Sequence, residues 1–182
     1  MIHVYGNSHA NAFTNTTPGH QGDSTNDPFR AHCARYTSGK TLEYATVKGF
    51  LTPVNKDIDW IILTIGEHDI RIDLVGAPPD NIRVYVDLYW DKIIEKLLED
   101  KFRVVGYSCH PTVNVALYKE WVSHMKKKCS EKGIPYLDIT SYVLNPDDTI
   151  NKLYYLDAIH LNHDVVGSIF KSELQKLSVL PA

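Results

Sequence analysis

A serine near the start of the chain and an aspartate–histidine pair near its end have the residue types of a nucleophilic catalytic site. Ser8 stands in the sequence Gly-Asn-Ser-His, and Asp157 and His160 are three residues apart in Leu-Asp-Ala-Ile-His-Leu-Asn. In that spacing the carboxylate can accept the Nδ1 proton of the imidazole within one turn, which leaves Nε2 free to face a serine hydroxyl. We therefore predict that Ser8, Asp157 and His160 are the catalytic residues of an acyl-transfer reaction. The alternative for Ser8 is that it only caps a helix.

A second polar group follows a buried-strand pattern and reads Gly-Glu-His-Asp-Ile-Arg from residue 66 to residue 71. His68 is a candidate donor to an oxyanion, together with the backbone N–H groups of Ser8 and of Gly39, which stands in Tyr-Thr-Ser-Gly-Lys-Thr. An alternative is that Asp69 and Arg71 form a structural ion-pair network that supports the loop. The candidates for holding a polar substrate are Asn7, His9, Glu67, Asp69 and Arg71.

The elements that must position these residues are visible in the hydrophobic pattern. Short apolar runs ended by turn or polar residues predict buried strands. They are Ile2–Tyr5, Trp60–Ile65, Phe102–Tyr107 and Tyr136–Ile139, with a weaker run around Leu42–Val47. Apolar residues at helical spacing predict helices over residues 86–98 and 113–129, and a last helix that begins near Asn162 or Asp164. Polar stretches at residues 14–28 and 75–81 predict loops.

The alternation of strands and helices predicts an α/β fold. Its form is a three-layer α/β/α sandwich with a central parallel sheet of about five strands. In such a sheet, ligands bind beyond the carboxyl ends of the strands. Ser8 and the segment 66–71 directly follow predicted strands, and the Asp157–His160 pair directly precedes the last helix. The candidate residues are therefore expected to meet at one edge of the sheet.

Length, charge and cysteine content narrow the classes of function. The chain has 182 residues, 43% apolar residues and a net charge of −3, which predicts a single domain over residues 1–182 and no basic face for nucleic acid. We recognise no signal peptide, and no window has the roughly 20 apolar residues of a membrane span. The three cysteines have no metal-site or redox spacing. We therefore expect reduced thiols, a cytoplasmic location, no membrane partner and no metal or other cofactor.

Taken together, these blocks resemble the SGNH (GDSL-type) hydrolase superfamily in order and rough spacing, over residues 2 to about 177. By this resemblance Ser8 matches the nucleophile, Gly39 the glycine of the second block, and Asp157 and His160 the final Asp-x-x-His. The first block reads Gly-Asn-Ser-His where the family has Gly-Asp-Ser. The third reads Gly-Glu-His-Asp where the family has Gly-x-Asn-Asp, so His68 stands in place of the oxyanion asparagine. This third block, from Gly66 to Arg71, is similar to that of a subgroup of the superfamily with a Gly-Glu-x-Asp-x-Arg block.

The resemblance implies a flavodoxin-like SGNH hydrolase fold and a serine esterase. Its substrate would be a small acyl ester, above all an acetyl ester, on a small molecule or a glycan, and the reaction would pass through an acyl-enzyme. Two alternatives keep the same fold. One is an acyltransferase that uses the same three residues with an alcohol as acceptor. The other is a non-catalytic binding module.

A metal-dependent phosphoesterase is the most remote alternative. The block Gly-Glu-His-Asp resembles the Gly-Asn-His-Asp block of calcineurin-like phosphatases, and His160 and His163 are spaced so that they could share a metal. Such enzymes also carry an Asp-x-His after the first strand and a Gly-His-x-His near the end. After its first predicted strand this sequence has Gly-Asn-Ser-His, and it has no Gly-His-x-His near its end.

Overall fold

Six β-strands form one sheet in the computed structural model, which describes residues 1–33 and 54–182. The strands are β1 (Ile2–Gly6), β2 (Gly22–Asn26), β3 (Phe29–Cys33), β4 (Trp60–Thr64), β5 (Arg103–Tyr107) and β6 (Tyr136–Leu137). Their order across the sheet is β2-β3-β1-β4-β5-β6. Every neighbouring pair is parallel except β2 and β3. The predicted α/β sandwich with a largely parallel sheet is confirmed, with six strands in place of about five.

Among residues 1–33 and 54–182, five α-helices accompany the sheet. They are α1 (Pro79–Tyr89), α2 (Glu95–Glu99), α3 (Val115–Glu131), α4 (Thr140–Val143) and α5 (His163–Lys176). Short helical turns of other types cover Ser8–Phe13 and Lys152–Tyr154 (3-10), and Asp69–Asp73 and Trp90–Ile94 (π). The predicted helix over residues 86–98 is thus α1 and α2 joined by a π-helical turn. The last helix begins where expected, because the Asn162 side chain accepts a hydrogen bond from the Asp164 N–H (3.1 Å).

The predicted loop at residues 14–28 is partly wrong. Its second half forms the edge strand β2, whose sequence Gly-Asp-Ser-Thr-Asn has the composition of a turn. The strand exists because it pairs antiparallel with β3, which the sequence pattern also missed. Arg30 and His32 interrupt the apolar residues of β3 and obscure its pattern. Strand pairing has overridden local propensity here.

Two other boundaries differ from the prediction. The fourth predicted strand ends at Leu137, because the Asp138 carboxylate accepts the Thr140 N–H (3.0 Å) and turns the chain into α4. Helix α1 begins at Pro79, inside the predicted loop 75–81. The weak strand predicted around residues 42–47 and the segment that carries Gly39 lie outside the described residues.

One cluster of buried side chains forms the core between the sheet and the helices. Its largest fully buried members are Trp90, Trp121, Tyr118, Phe13, Phe29 and Phe170. Burial of each such side chain contributes roughly 1.5–3 kcal/mol to folding. Cys33, Cys109 and Cys129 are buried free thiols. Among the described helices, none has the length and apolar character needed to cross a lipid bilayer.

Candidate active site

Ser8 lies at the carboxyl end of β1, as the first residue of a 3-10 turn. The cap of this turn is Asn7, whose side-chain oxygen accepts the His9 N–H (3.0 Å). The alternative in which Ser8 is only a cap is therefore wrong, and its hydroxyl is free for another partner. That partner is His160, whose Nε2 lies 2.9 Å from Ser8 Oγ.

His160 is oriented by Asp157 within a short loop. The imidazole Nδ1 lies 2.8 Å from Asp157 Oδ2, and Asp157 Oδ1 accepts the backbone N–H groups of Ile159 and His160, each at 2.8 Å. A backbone bridge between Tyr155 and Leu161 closes this loop. With Nδ1–H donating to the carboxylate, Nε2 is the acceptor that faces the Ser8 hydroxyl. The three residues predicted from spacing form one continuous chain of hydrogen bonds.

The Asp157 carboxylate is held in its ionised form. Desolvation acts to raise its pKa, but the N–H groups of Ile159 and His160 and the imidazole offset that effect, so its pKa lies below the ordinary aspartate value. Asp157 therefore remains an acceptor for the His160 Nδ1 proton throughout the neutral range. The side chain of His160 is 14% exposed and that of Asp157 is 47% exposed, so the histidine lies deeper than its carboxylate partner.

A pocket of about 210 Å³ opens beside Ser8 and His160. Its walls come from the turn after β1, from the first half of the predicted loop 14–28, and from the loop that carries Asp157. Besides Ser8, His160 and their neighbours, it is lined among others by Asn11, Thr16, Thr17, Leu156, Asn162 and Asp164. None of these was predicted as a site residue. The sequence feature that could have identified these pocket residues is their position in or near loops, where binding residues are concentrated.

His163 joins two walls of this pocket. Its Nδ1 donates to the carbonyl of Ala12 (2.5 Å), and its Nε2 accepts from the side chain of Asn26 in the edge strand β2 (3.3 Å). The first residue of α5 is thereby tied to the Ser8 turn and to the edge of the sheet.

The metal alternative suggested by the spacing of His160 and His163 concerns the nitrogens of these two rings. His160 has one ring nitrogen at Asp157 and the other at Ser8. The described residues contain no group of three or more His, Cys, Asp or Glu side chains arranged to hold a metal ion.

The residues predicted to hold substrate are mostly inside the protein. Glu67 is 3% exposed, and its carboxylate accepts hydrogen bonds from His9 Nε2, Arg71 Nε (2.6 Å) and Thr112 Oγ1 (2.6 Å). Burial acts to raise the Glu67 pKa, but His9 first and then Arg71 lower it well below the ordinary glutamate value. Asn7, His9 and Glu67 are therefore placed to support the loops, and of these three only His9 also lines the pocket.

Asp69 has a structural position. The residue is completely buried, and its carboxylate accepts the Gly66 N–H (3.0 Å) and the Tyr85 hydroxyl (2.5 Å). The sequence suggested an ion-pair network of Asp69 and Arg71. In the structure Arg71 donates to Glu67, so Glu67 is an ion-pair partner of this arginine. The Asp69 carboxylate thus closes the turn after β4 and ties it to α1. These contacts favour a role in loop structure over the predicted contact with substrate.

His68 lies in the turn that follows β4. Its Nε2 is buried and has no hydrogen-bond partner among the described residues, and His68 does not line the pocket beside Ser8. Gly39, the other predicted oxyanion residue besides Ser8, lies outside the described residues.

Gly6 is required for close packing of β1 on β4. A Cβ atom at this position would lie 1.8 Å from Thr64 Oγ1 and 3.2 Å from the Thr64 carbonyl oxygen. Gly6 pairs with Thr64 in the parallel register of these two central strands. The glycine therefore brings the carboxyl end of β1, and Ser8 with it, directly against the loop that carries Glu67.

Comparison with known proteins identifies solved structures with the same fold. No protein-family model matches the sequence. No curated protein shows significant sequence similarity to it. Solved structures do match over nearly the whole chain. One is a proposed acylhydrolase from Bacteroides fragilis, with 16% identity, a TM-score of 0.63, and coverage of 98% of this chain and 85% of that chain.

Two further structures belong to the same class. A proposed lipolytic protein of the G-D-S-L family from Desulfitobacterium hafniense has 14% identity and a TM-score of 0.63, with 98% of this chain and 99% of that chain covered. A psychrotrophic esterase from Pseudoalteromonas, in a form inhibited by monoethylphosphonate, has 12% identity and a TM-score of 0.54, with coverages of 97% and 95%. At these identities the likeness establishes architecture, and the chain has the fold of the GDSL-type (SGNH) hydrolases.

Proposed function

We propose that this protein is a serine esterase in which Ser8 is the nucleophile, His160 the general base and Asp157 the residue that orients it. The observation that carries the proposal is the unbroken chain of hydrogen bonds from Asp157 through His160 to Ser8 Oγ, at the lip of a pocket. The shared fold with GDSL-type esterases supports it. So does the position of Ser8 beyond the carboxyl end of a parallel strand, where ligands bind in open α/β sheets.

The reaction proceeds in two stages on these residues. His160 Nε2 removes the proton of Ser8 Oγ as that oxygen attacks the ester carbonyl, and His160 then protonates the departing alcohol. Water deprotonated by the same nitrogen then attacks the acyl-serine, and the proton passes to Ser8 Oγ as the acyl bond breaks and the acid leaves. The Asp157 carboxylate stabilises the imidazolium in both stages.

The oxyanion would be held by three N–H donors from separate parts of the chain. The Ser8 N–H is the first of these, and we assign the Gly39 N–H and the His68 ring as the others. The buried, unpartnered Nε2 of His68 supports its part in this group. Loss of one such donor typically costs 10²–10³ in rate. We expect His68→Ala to lower kcat by about that factor.

The pocket favours small acyl esters of polar alcohols. Its volume of about 210 Å³ lies below the roughly 300–1,000 Å³ typical of drug-sized ligand sites. The asparagine and threonine side chains of its wall can pair with hydroxyl groups. We therefore infer that an acetyl ester on a carbohydrate is the preferred substrate class. An alcohol in place of water as acceptor would give an acyltransferase on the same residues.

The test is hydrolysis of p-nitrophenyl acetate, butyrate and octanoate, followed by acetylated sugars, by the wild type and Ser8→Ala. The matched control is Ser141→Ala, which changes an exposed serine in α4. We expect Ser8→Ala to lose at least about 10³-fold in kcat, Ser141→Ala to behave as wild type, and octanoate to be the poorest ester. Addition of a free sugar separates transfer from hydrolysis through the products formed.

A fluorophosphonate label read by mass spectrometry provides an activity-independent check. We expect one adduct, on the peptide that contains Ser8, and none in Ser8→Ala. An inert wild type with no adduct would contradict the esterase proposal and favour the non-catalytic binding module.

A further inference from the structure

A polar cluster, buried at its centre, lies directly behind Ser8 and His160. Its members are His9, Glu67, Arg71, His110 and Thr112, which we call the support cluster. They come from three separate loops, after β1, β4 and β5. Side-chain hydrogen bonds from three of them converge on the Glu67 carboxylate. None of these residues forms or breaks a bond in the mechanism above.

His9 connects this cluster to the nucleophile. It is the residue next to Ser8, and its Nε2 donates to Glu67 in a pair whose two side chains are 5% and 2% exposed. The His9 ring also packs on the ring of His160, with 5.2 Å between their centroids. The His9 side chain therefore contacts the His160 ring and, through its bond to Glu67, anchors the backbone next to Ser8.

His110 connects the cluster to the loop that carries the base. Its Nε2 donates to the carbonyl of Ile159 (2.8 Å), the residue immediately before His160. Its ring meets the edge of the His9 ring, with 4.7 Å between centroids. Burial, and then the neighbouring His9, lower the His110 pKa to about 3, so His110 is a neutral donor under ordinary conditions.

Stability alone does not explain this arrangement. Buried ion pairs contribute little net stability, because desolvation of both charges offsets their attraction, and well-packed apolar residues often do as well. Two buried ring nitrogens, His9 Nδ1 and His110 Nδ1, also lack partners among the described residues. Such a costly cluster is expected where reacting groups must be held within a fraction of an ångström.

We propose that His9 and His110 are positioning residues for the reaction. His9, anchored on Glu67, fixes Ser8 and the His160 ring, and His110 fixes the loop through the Ile159 carbonyl. The inference rests on the proposed esterase function. Displacement of a reacting group by about 1 Å can cost roughly 10²-fold in rate, so the effect should appear in kcat and leave KM nearly unchanged.

The test compares His9→Ala with His9→Gln in p-nitrophenyl acetate hydrolysis. The glutamine amide can reach Glu67 as a donor, so it restores the hydrogen bond without the ring. We expect His9→Ala to lose about 30- to 100-fold in kcat with KM within about threefold, and His9→Gln to recover at least about tenfold of that loss. His110→Phe keeps the ring volume, removes the donor to Ile159, and should lose about tenfold in kcat.

His124→Phe is the matched control. It removes an imidazole that pairs with Asp87 (2.9 Å) between α1 and α3, away from the site, and should leave kcat unchanged. Thermal unfolding of every variant shows which of them are folded. If folded His9→Ala and His110→Phe match an active wild type, the positioning role is overturned while the esterase proposal stands. The role is also overturned if folded His9→Gln is as slow as His9→Ala. A wild type with neither turnover nor a Ser8 adduct overturns both.

Discussion

Ser8 Oγ and His160 Nε2 lie 2.9 Å apart, although 152 positions separate the two residues in the chain. The contact links the end of the first strand to the loop before the last helix. It forms because β1 is central in the sheet and the final helix returns to the Ser8 turn, where His163 donates to the Ala12 carbonyl.

Asp157→Asn should lower kcat by about 10³- to 10⁴-fold. The asparagine side chain is uncharged, and its NH2 group can donate to Nδ1, so the imidazole loses the tautomer that presents Nε2 as acceptor. Because the Asp157 side chain is 47% exposed, the thermal midpoint should change little. Steady-state kinetics and thermal unfolding check this together. Asp147→Asn, in an exposed turn, is the control, and equal rates for the two variants would remove Asp157 from the mechanism.

Glu67→Gln should destabilise the fold in a pH-dependent way. The Glu67 pKa is lower in the folded protein than its ordinary value of 4.5. Its ionised form therefore contributes stability that is fully present above about pH 4.5 and is lost as the pH falls toward the folded value.

We expect a loss of roughly 3 kcal/mol at pH 7 for Glu67→Gln, because the change breaks a buried charge network. The difference from wild type should shrink between pH 4.5 and pH 3. Urea unfolding at pH 7, 5 and 3.5 measures it. Two curves that remain equally separated at all three pH values would show that the Glu67 charge is unimportant for folding.

Gly66→Ala should destabilise the protein by roughly 2–4 kcal/mol, from backbone strain and overpacking together. Gly66 has a φ of +126°, and a Cβ there would lie 2.8 Å from the Trp121 ring and 2.9 Å from Cys109 Sγ. Gly133→Ala is the control, since its φ is +65° and, among the described residues, no atom lies within 4 Å of the place that its added methyl group would take. Denaturant unfolding of the two variants separates the two effects. Gly133→Ala should lose only about 1–2 kcal/mol of unfolding free energy, from backbone strain, and the additional loss in Gly66→Ala is the cost of overpacking.

Gly6→Ala should be disruptive, and removal of its neighbour's hydroxyl should partly rescue it. The clash is with Thr64 Oγ1, at 1.8 Å from the added Cβ, and the Thr64 carbonyl oxygen at 3.2 Å remains in any variant. The double variant Gly6→Ala/Thr64→Ala should therefore be more stable than Gly6→Ala alone. A double-mutant cycle measures the coupling, which we expect to exceed about 0.5 kcal/mol. If the stability losses of the two single variants simply add in the double variant, the Thr64 hydroxyl is not the group that makes Gly6→Ala disruptive.

The amino-acid sequence alone was enough to predict the α/β class, the central strands and the approach of Ser8, Asp157 and His160 to one another. Strands β1, β4 and β5 are buried in a parallel sheet, so they appear as apolar runs. Asp-x-x-His is a local pattern, because one turn suffices to join its carboxylate to its imidazole. Features that depend on neighbours in the chain were therefore visible without the structure.

Other features were decided by tertiary structure, because they depend on residues far apart in the chain. The edge strand β2 has a turn-like composition and exists through pairing with β3. Glu67 is a predicted substrate ligand, but its partners His9 and Thr112, which lie 58 and 45 positions away, hold it inside the protein. His110 gave no signal in the sequence, since its partner is the Ile159 carbonyl. Local pattern shows which residue types could react, and long-range packing decides which of them lie at the pocket and which are buried behind it.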